Sequence, residues 1–287
     1  MGGWAGGDDS FYEYLIKMYV YDSSSFGAYK DRWVAAADSS IQYLASHPSS
    51  RPDLTFLAQY DGTQRIFESE HRKQGQFVFL ILVSDIAAVA CFAGGNFILG
   101  GVALGEQKYI DFGLELVDAC YDTYAKDATG IGPGAFAWLP EACNGASSDP
   151  NCTIPGPYVN QTTFYDESGF WITDPSYDLQ PEVLESLYYA YRVTGNTTYQ
   201  DWSWAAFQAI NATTRVGSGY SQINNVNVVG GDGFTNTQES FLFAEVWKYA
   251  YLIHAEDGPW QVYYQGENQF VFNTEAHPFK VKGGPLP

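Results

Sequence analysis

The stretch PEVLESLYYAYRVTG, residues 181–195, reads as one complete helix. Pro181 suits a helix start, because its missing N–H is not needed there and its φ is already set. Gly195 suits the stop. Glu182 and Glu185 fall in the first turn, where the helix dipole favours negative charge. The rest is largely aromatic or aliphatic. Two other stretches share this character: DDSFYEYLIKMYVY at 8–21, and 238–255, which contains Glu239 and Glu245. Between them lie helices at 29–45, 109–125 and 199–213 that read as ordinary amphipathic covers. Acid-headed aromatic helices alternating with covers suggest a toroid of helical hairpins, of which this chain supplies about half. Residues 92–104 read as a further helix, weakened by its glycines. Residues 130–178 and 215–237 are rich in turn formers, and a hairpin of short strands fits the first. The tail, 257–287, reads as strand-containing.

The chain has 287 residues, enough for a substantial core. Hydrophobic residues make up 46%, which excludes a disordered chain. Net charge is −19, which argues against nucleic acid and anionic membranes as partners. Aromatics reach 17%, which suits either an aromatic core or a surface for apolar sugar faces. Four cysteines, Cys91, Cys120, Cys143 and Cys152, lack zinc spacing and suit two disulfides. Asn-x-Ser/Thr sequons stand at Asn151, Asn160, Asn196 and Asn211. Cysteines and sequons together point to the secretory pathway, in the endoplasmic reticulum or Golgi, or to secretion. The run 77–104 carries one charge, Asp85, and is long enough to span a bilayer, but glycines and Asn96 interrupt it. A packed interior element is expected, with no membrane span in this chain.

Asp9 and Glu13 are four apart on one helix face, Glu182 and Glu185 three apart on another. Glu245 follows Phe241 by four on a third, and Glu275 lies in FNTEAHP at 272–278. The helix dipole accounts for any one pair. Three helices repeating the pattern suggest a shared pocket, where like charges need protons or a cation. A hard cation with oxygen ligands, calcium, fits. Paired carboxylates also fit glycoside hydrolysis. No Ser or Cys motif supports a nucleophilic triad, despite His277.

These residues carry a resemblance. The motifs GGDDSFYEYLIKMYVYD (6–22), ACFAGGNFILGG (90–101), TGIGP (129–133), PEVLESLYYAYRVTG (181–195), QESFLFAEVWKYAYLIHAED (238–257) and FNTEAHPF (272–279) run in order along nearly the whole chain. The chain resembles the C-terminal part of the class I α-1,2-mannosidases, glycoside hydrolase family 47, and is most similar to the secreted fungal branch. The resemblance implies an all-α (α/α)7 barrel, of which this is a single partial catalytic domain, about half the toroid with minor short strands. It implies Ca2+ dependence and inverting removal of α-1,2-linked mannose from oligomannose N-glycans of glycoproteins. A monomer is expected when the domain is complete.

Carried across by motif, Asp9 matches an acid central to catalysis, and Glu182 the general base. Thr274 matches the direct calcium ligand; Glu185, Glu245 and Glu275 match acids acting through the ion's waters. Glu13, Phe241, Glu245, Gly7 and His71 match the substrate-binding side, with Phe241 the ring under the terminal mannose. Gly7 stands where the reticulum enzymes have Arg, so broad trimming of branches is expected. Cys91 and Cys120 match the family's disulfide, which leaves Cys143 and Cys152 as a local bridge.

Departures qualify this. The family's general-acid Glu belongs to an N-terminal half not present here, so the chain alone is expected to be weakly active or inactive. Gln180 replaces an Arg, and Gly134 replaces the Glu of TGIGPE. The motif His-Leu-x-Cys-Phe is broken, but removing the 17 residues 72–88 would give His71-Val89-Ala90-Cys91-Phe92. Segment 72–88 is therefore read as an insertion or an unspliced intron. The alternative function is a non-catalytic, oligomannose-binding mannosidase-like protein. A non-functional fragment would instead expose a broad apolar face.

Overall fold

The computed structural model describes residues 2–4, 9–61, 64–70, 90–143, 152–263 and 268–284. Its helices are α1 (Asp9–Tyr21), α2 (Gly27–Tyr43), α3 (Phe92–Leu104), α4 (Gln107–Lys126), α5 (Thr162–Ser168), α6 (Glu182–Thr194), α7 (Thr198–Thr214) and α8 (Trp247–Leu252). They pair as hairpins: α1 on α2, α3 on α4, α6 on α7. The first members touch in sequence, α1 to α3, α3 to α6 and α6 to α8, and form an inner row. The outer row is α2, α4 and α7. Segment 72–88 lies outside the described residues. Among those described, no helix is long and apolar enough to cross a membrane.

Helix α3 belongs to the inner row and is buried on every side from Phe92 to Val102. Its glycines do not weaken it as their helix propensity suggests. They are where neighbours press in. A Cβ on Gly100 would lie 2.1 Å from the Trp33 ring of α2, one on Gly94 2.7 Å from Val117 of α4, and one on Gly95 2.7 Å from Tyr189 of α6. Asn96 Oδ1 accepts the Trp33 indole N–H at 2.8 Å, and Cys91–Cys120 bonds the start of α3 to α4. Gly100→Ala gains at most about 1 kcal/mol in helix propensity. Overpacking against Trp33 costs about 1–3 kcal/mol. A net loss is therefore expected, read as a lower urea midpoint.

The expected hairpin within 130–178 is present as Ala135–Ala137 paired antiparallel with Trp171–Asp174. Glu68–Glu70 joins as a third strand, from outside that stretch of sequence. Phe136, Trp138 and Phe170 centre a second core beneath it. Cys143 and Cys152 are bonded. Helix α5 lies where only loop was expected. A Cβ on Gly134 would lie 2.9 Å from Ser176 Oγ and 3.0 Å from its carbonyl oxygen, so this site is shaped to a glycine.

The last helix departs most from expectation. Residues 238–240 are not helical, and Leu242–Val246 form a π turn that runs into α8. The side chains before it are engaged elsewhere: Gln238 Oε1 accepts the Tyr220 N–H at 2.7 Å, and Glu239 accepts from Gln222 Nε2 at 3.1 Å. Phe270–Phe272 and Pro278–Lys280 then pair as a hairpin in the tail.

Candidate functional site

Three inner helices and the tail turn converge on the ion cluster of Lys17, Glu13 and Glu185. Lys17 follows Glu13 by four on α1, and its side chain is buried. Its Nζ donates to Glu13, to Glu185 Oε1 of α6 at 3.3 Å, and to the Asn273 carbonyl of the tail at 3.3 Å. From α8, Tyr249 Oη donates to the same Glu185 oxygen at 3.0 Å. Burial pulls the Lys17 pKa down, but the charges of Glu13, Tyr189 and Glu185 outweigh it and hold it well above the usual lysine value. Burial pushes Glu185 up, against the pull of Lys17.

Glu182 opens α6 and is buried. Tyr124, near the end of α4, and Tyr177 are close enough to feel its charge. Both phenols are raised by burial first, with Glu182 adding to the shift. Tyr177 Oη donates to the Gln180 carbonyl at 3.1 Å, which braces the entry to α6.

Glu245 is buried inside the π turn, with Phe241 half-buried just before it. π turns recur at functional sites because the extra residue re-aims side chains. One turn on, Lys248 Nζ donates to the Ala276 carbonyl at 3.0 Å. Burial lowers its pKa, while the charges of Glu245 and Glu275 oppose that. Thr274 and Glu275 sit in the tail turn, half-buried. A cleft of about 270 Å3 opens between α1 and the tail, lined by Tyr14, Lys17, Met18, Tyr21, Phe272 and Asn273.

The structure thus joins Glu13 and Glu185 through Lys17 and sets Glu182 one turn from Glu185. It brings Glu245 and Glu275 to Lys248. It moves Glu239 out of the helix that the reading gave it and pairs it with Gln222. Asp9 begins α1, but its side chain lies outside what is described, as do Gly7, His71 and Asn151. Asn160 and Asn196 are exposed, while Asn211 is half-buried, its Oδ1 accepting from Tyr220 Oη at 2.9 Å.

Among the described residues, no three His, Cys, Asp or Glu converge as a direct metal cage. The acids about the tail turn, Glu185, Glu245 and Glu275, and Thr274 within it offer oxygens. Such a set fits a hard cation that keeps several waters. Sequence reading missed Lys17, Lys248, Tyr249, Tyr124 and Tyr177. It also missed Asp127, just after α4, a buried carboxyl with neither oxygen hydrogen-bonded.

Helical hairpins with buried carboxylates along their inner row are the architecture of α/α-barrel glycoside hydrolases. Glycosyl hydrolase family 47 matches residues 1–281, and the chain belongs to that family. Its hairpins are those of the (α/α)7 barrel. It is 53% identical to a probable mannosyl-oligosaccharide α-1,2-mannosidase 1B of Aspergillus clavatus, over 97% of this chain and 49% of that protein. It is 50% identical to a mannosyl-oligosaccharide α-1,2-mannosidase of Penicillium citrinum, over 97% of this chain and 48% of that one. The solved α-1,2-mannosidase from Trichoderma reesei superposes with a TM-score of 0.85 at 50% identity, covering 98% of this chain and 53% of that one. The chain spans about half the length of the relatives it matches.

Proposed function

We propose that the protein is a Ca2+-dependent α-1,2-mannosidase, inverting, acting on oligomannose N-glycans in the secretory pathway or outside the cell. One observation carries the reading: α1, α6 and the tail turn meet at Lys17, α8 joins them through Tyr249 on Glu185, and Glu182 lies one turn from Glu185. The names of the relatives support the reaction and its substrate.

In this reading Glu182 is the general base. It takes a proton from a water whose oxygen bonds to the anomeric carbon, as the bond from that carbon to the leaving oxygen breaks. An inverting site keeps its two carboxyl groups about 6.5–9.5 Å apart to hold that water. A second acid protonates the leaving oxygen, and none of this chain's described carboxylates is assigned that task. Asp9 is the further acid near the chemistry. Phe241 packs on the terminal mannose, and Glu13 and Glu245 take its hydroxyls, with Gly7 and His71 on the same side. Thr274 would hold the calcium directly, and Glu185, Glu245 and Glu275 would hold it through its waters. Calcium, when bound, supplies positive charge for sugar oxygens. Asn160 and Asn196, being exposed, are the sequons expected to carry glycan.

The test is release of mannose from an oligomannose glycan bearing terminal α-1,2-linkages. Release is expected to stop with EGTA and return with Ca2+. The 287-residue chain by itself is expected to be weakly active or inactive. Binding of the glycan without any release, in a preparation extended to the length of the relatives, would favour a non-catalytic oligomannose-binding protein. Release indifferent to EGTA would remove calcium from the reading.

A further inference from the structure

The tail turn 273–277 is held from two sides by lysines that grip main-chain oxygens. Lys17 of α1 donates to the Asn273 carbonyl at 3.3 Å, and Lys248 of α8 donates to the Ala276 carbonyl at 3.0 Å. Thr274 and Glu275 lie between the two anchor points. Inside the turn, Asn273 Oδ1 accepts the N–H of Glu275 at 3.0 Å and of His277 at 2.8 Å. Ala276 has φ 55°, a left-handed conformation that a residue with a Cβ adopts only when its surroundings impose it. The Lys248 bond ends on that residue's carbonyl.

Charge alone argues against lysines here. An ammonium group beside a cation site repels the cation. Glu13 and Glu185 at Lys17, and Glu245 and Glu275 at Lys248, outnumber the two positive charges, but each ammonium still weakens the pull of those acids on a cation. What the lysines supply in return is position: each joins an inner helix to the turn at a fixed backbone atom.

We propose that Lys17 and Lys248 are positioning residues, a two-point clamp that presets the Thr274 turn so that its oxygens are presented to a hard divalent cation without reordering. This rests on the calcium reading above. Its test turns on a sign. Removing a positive charge tightens cation binding if electrostatics governs. It weakens binding if the clamp governs, because the turn must then be ordered at the moment of binding.

The experiment uses the full chain, with Ca2+ titrated calorimetrically and amide hydrogen exchange followed at Glu275 and His277 without Ca2+. Lys248→Met is expected to weaken Ca2+ binding about tenfold or more and to speed exchange by a similar factor. Lys248→Arg, which keeps the donor, is expected to stay within about threefold of the unsubstituted chain on both readouts. Where Lys17→Met does not fold, Lys17→Met with Glu185→Gln tests the other anchor by exchange. For Lys248→Met, only weaker binding together with faster exchange upholds the clamp. Equal or tighter binding, or weaker binding with unaltered exchange, overturns it. If the unsubstituted chain takes up no Ca2+, the calcium reading fails, and exchange alone judges the clamp: faster exchange upholds it and unaltered exchange overturns it.

Discussion

Lys17→Met is expected to lower the stability of the chain by about 3–5 kcal/mol, the usual result of removing one partner from a buried ion cluster. The side chains of Lys17, Glu13 and Glu185 are 3%, 5% and 6% exposed, so water cannot replace the lost ammonium. Methionine fills much the same volume, and the loss is therefore electrostatic rather than a cavity. Two carboxylates would then share a dry site with Tyr249, alone among the described residues, still donating to Glu185. One of them must take up a proton. The sign with pH follows. Burial already raises Glu185, and without Lys17 the Tyr249 hydrogen bond is left as the weaker opposing pull. An acid whose folded pKa is raised stabilises the fold best below its unfolded pKa and loses that contribution as pH rises. The deficit of Lys17→Met is thus expected to be small in acid and full at neutral pH, in urea unfolding at several pH values. Adding Glu13→Gln and Glu185→Gln is expected to recover most of it. A deficit that is constant with pH and unaffected by these replacements would mean that packing, not charge, holds Lys17 in place.

Asp127→Asn is the second large effect, and it is a gain. Asp127 is 7% exposed, neither carboxyl oxygen has a hydrogen-bond partner, and burial pushes its pKa up to about 8. Folding therefore favours its protonated form. Its contribution is best below the unfolded value near 4 and is lost as pH rises through 8, after which it is level. A shift of about four units corresponds to at most about 6 kcal/mol. The amide keeps its own burial cost of about 1–3 kcal/mol, so a net gain on the order of 3 kcal/mol is expected at pH 8. The gain is expected to be absent near pH 4 and to appear and grow as the pH rises. A difference independent of pH would show that Asp127 is not a buried acid in solution.

Much of the inner row is legible in the sequence, because its helices carry both periodicity and punctuation. Glu182–Thr194 has Pro181 before it and Gly195 after it, and the reading matches the structure. Asp9–Tyr21 is similar, with acids at its head. Phe92–Leu104 was legible as a helix but not as a member of the inner row. Glycine propensity describes a helix in water, and here the packing of Trp33, Val117 and Tyr189 decides. Periodicity carries the last helix too far, since 238–240 continue it while the side chains of Gln238 and Glu239 serve Tyr220 and Gln222. The site was legible as a set of acids. Its cations were not: a lysine four after a glutamate reads as a surface pair, and only the tertiary fold buries Lys17. Asp127 gave no signal, as it stands after a helix where acids are ordinary.

The π turn at Leu242–Val246 carries one residue more than an α-helical path between the same ends would need. That residue is absorbed within the turn, so the helix on either side keeps its phase. Deleting one residue of the turn would let the segment close to an α-helix between the same ends, with α8 kept in place. Tyr249 would stay on Glu185 and Lys248 on Ala276, while the side chains inside the turn, Glu245 among them, would be re-aimed. A length change of one is thus expected to be absorbed locally between 242 and 246, where the same deletion in α6 would turn the rest of that helix by about 100°.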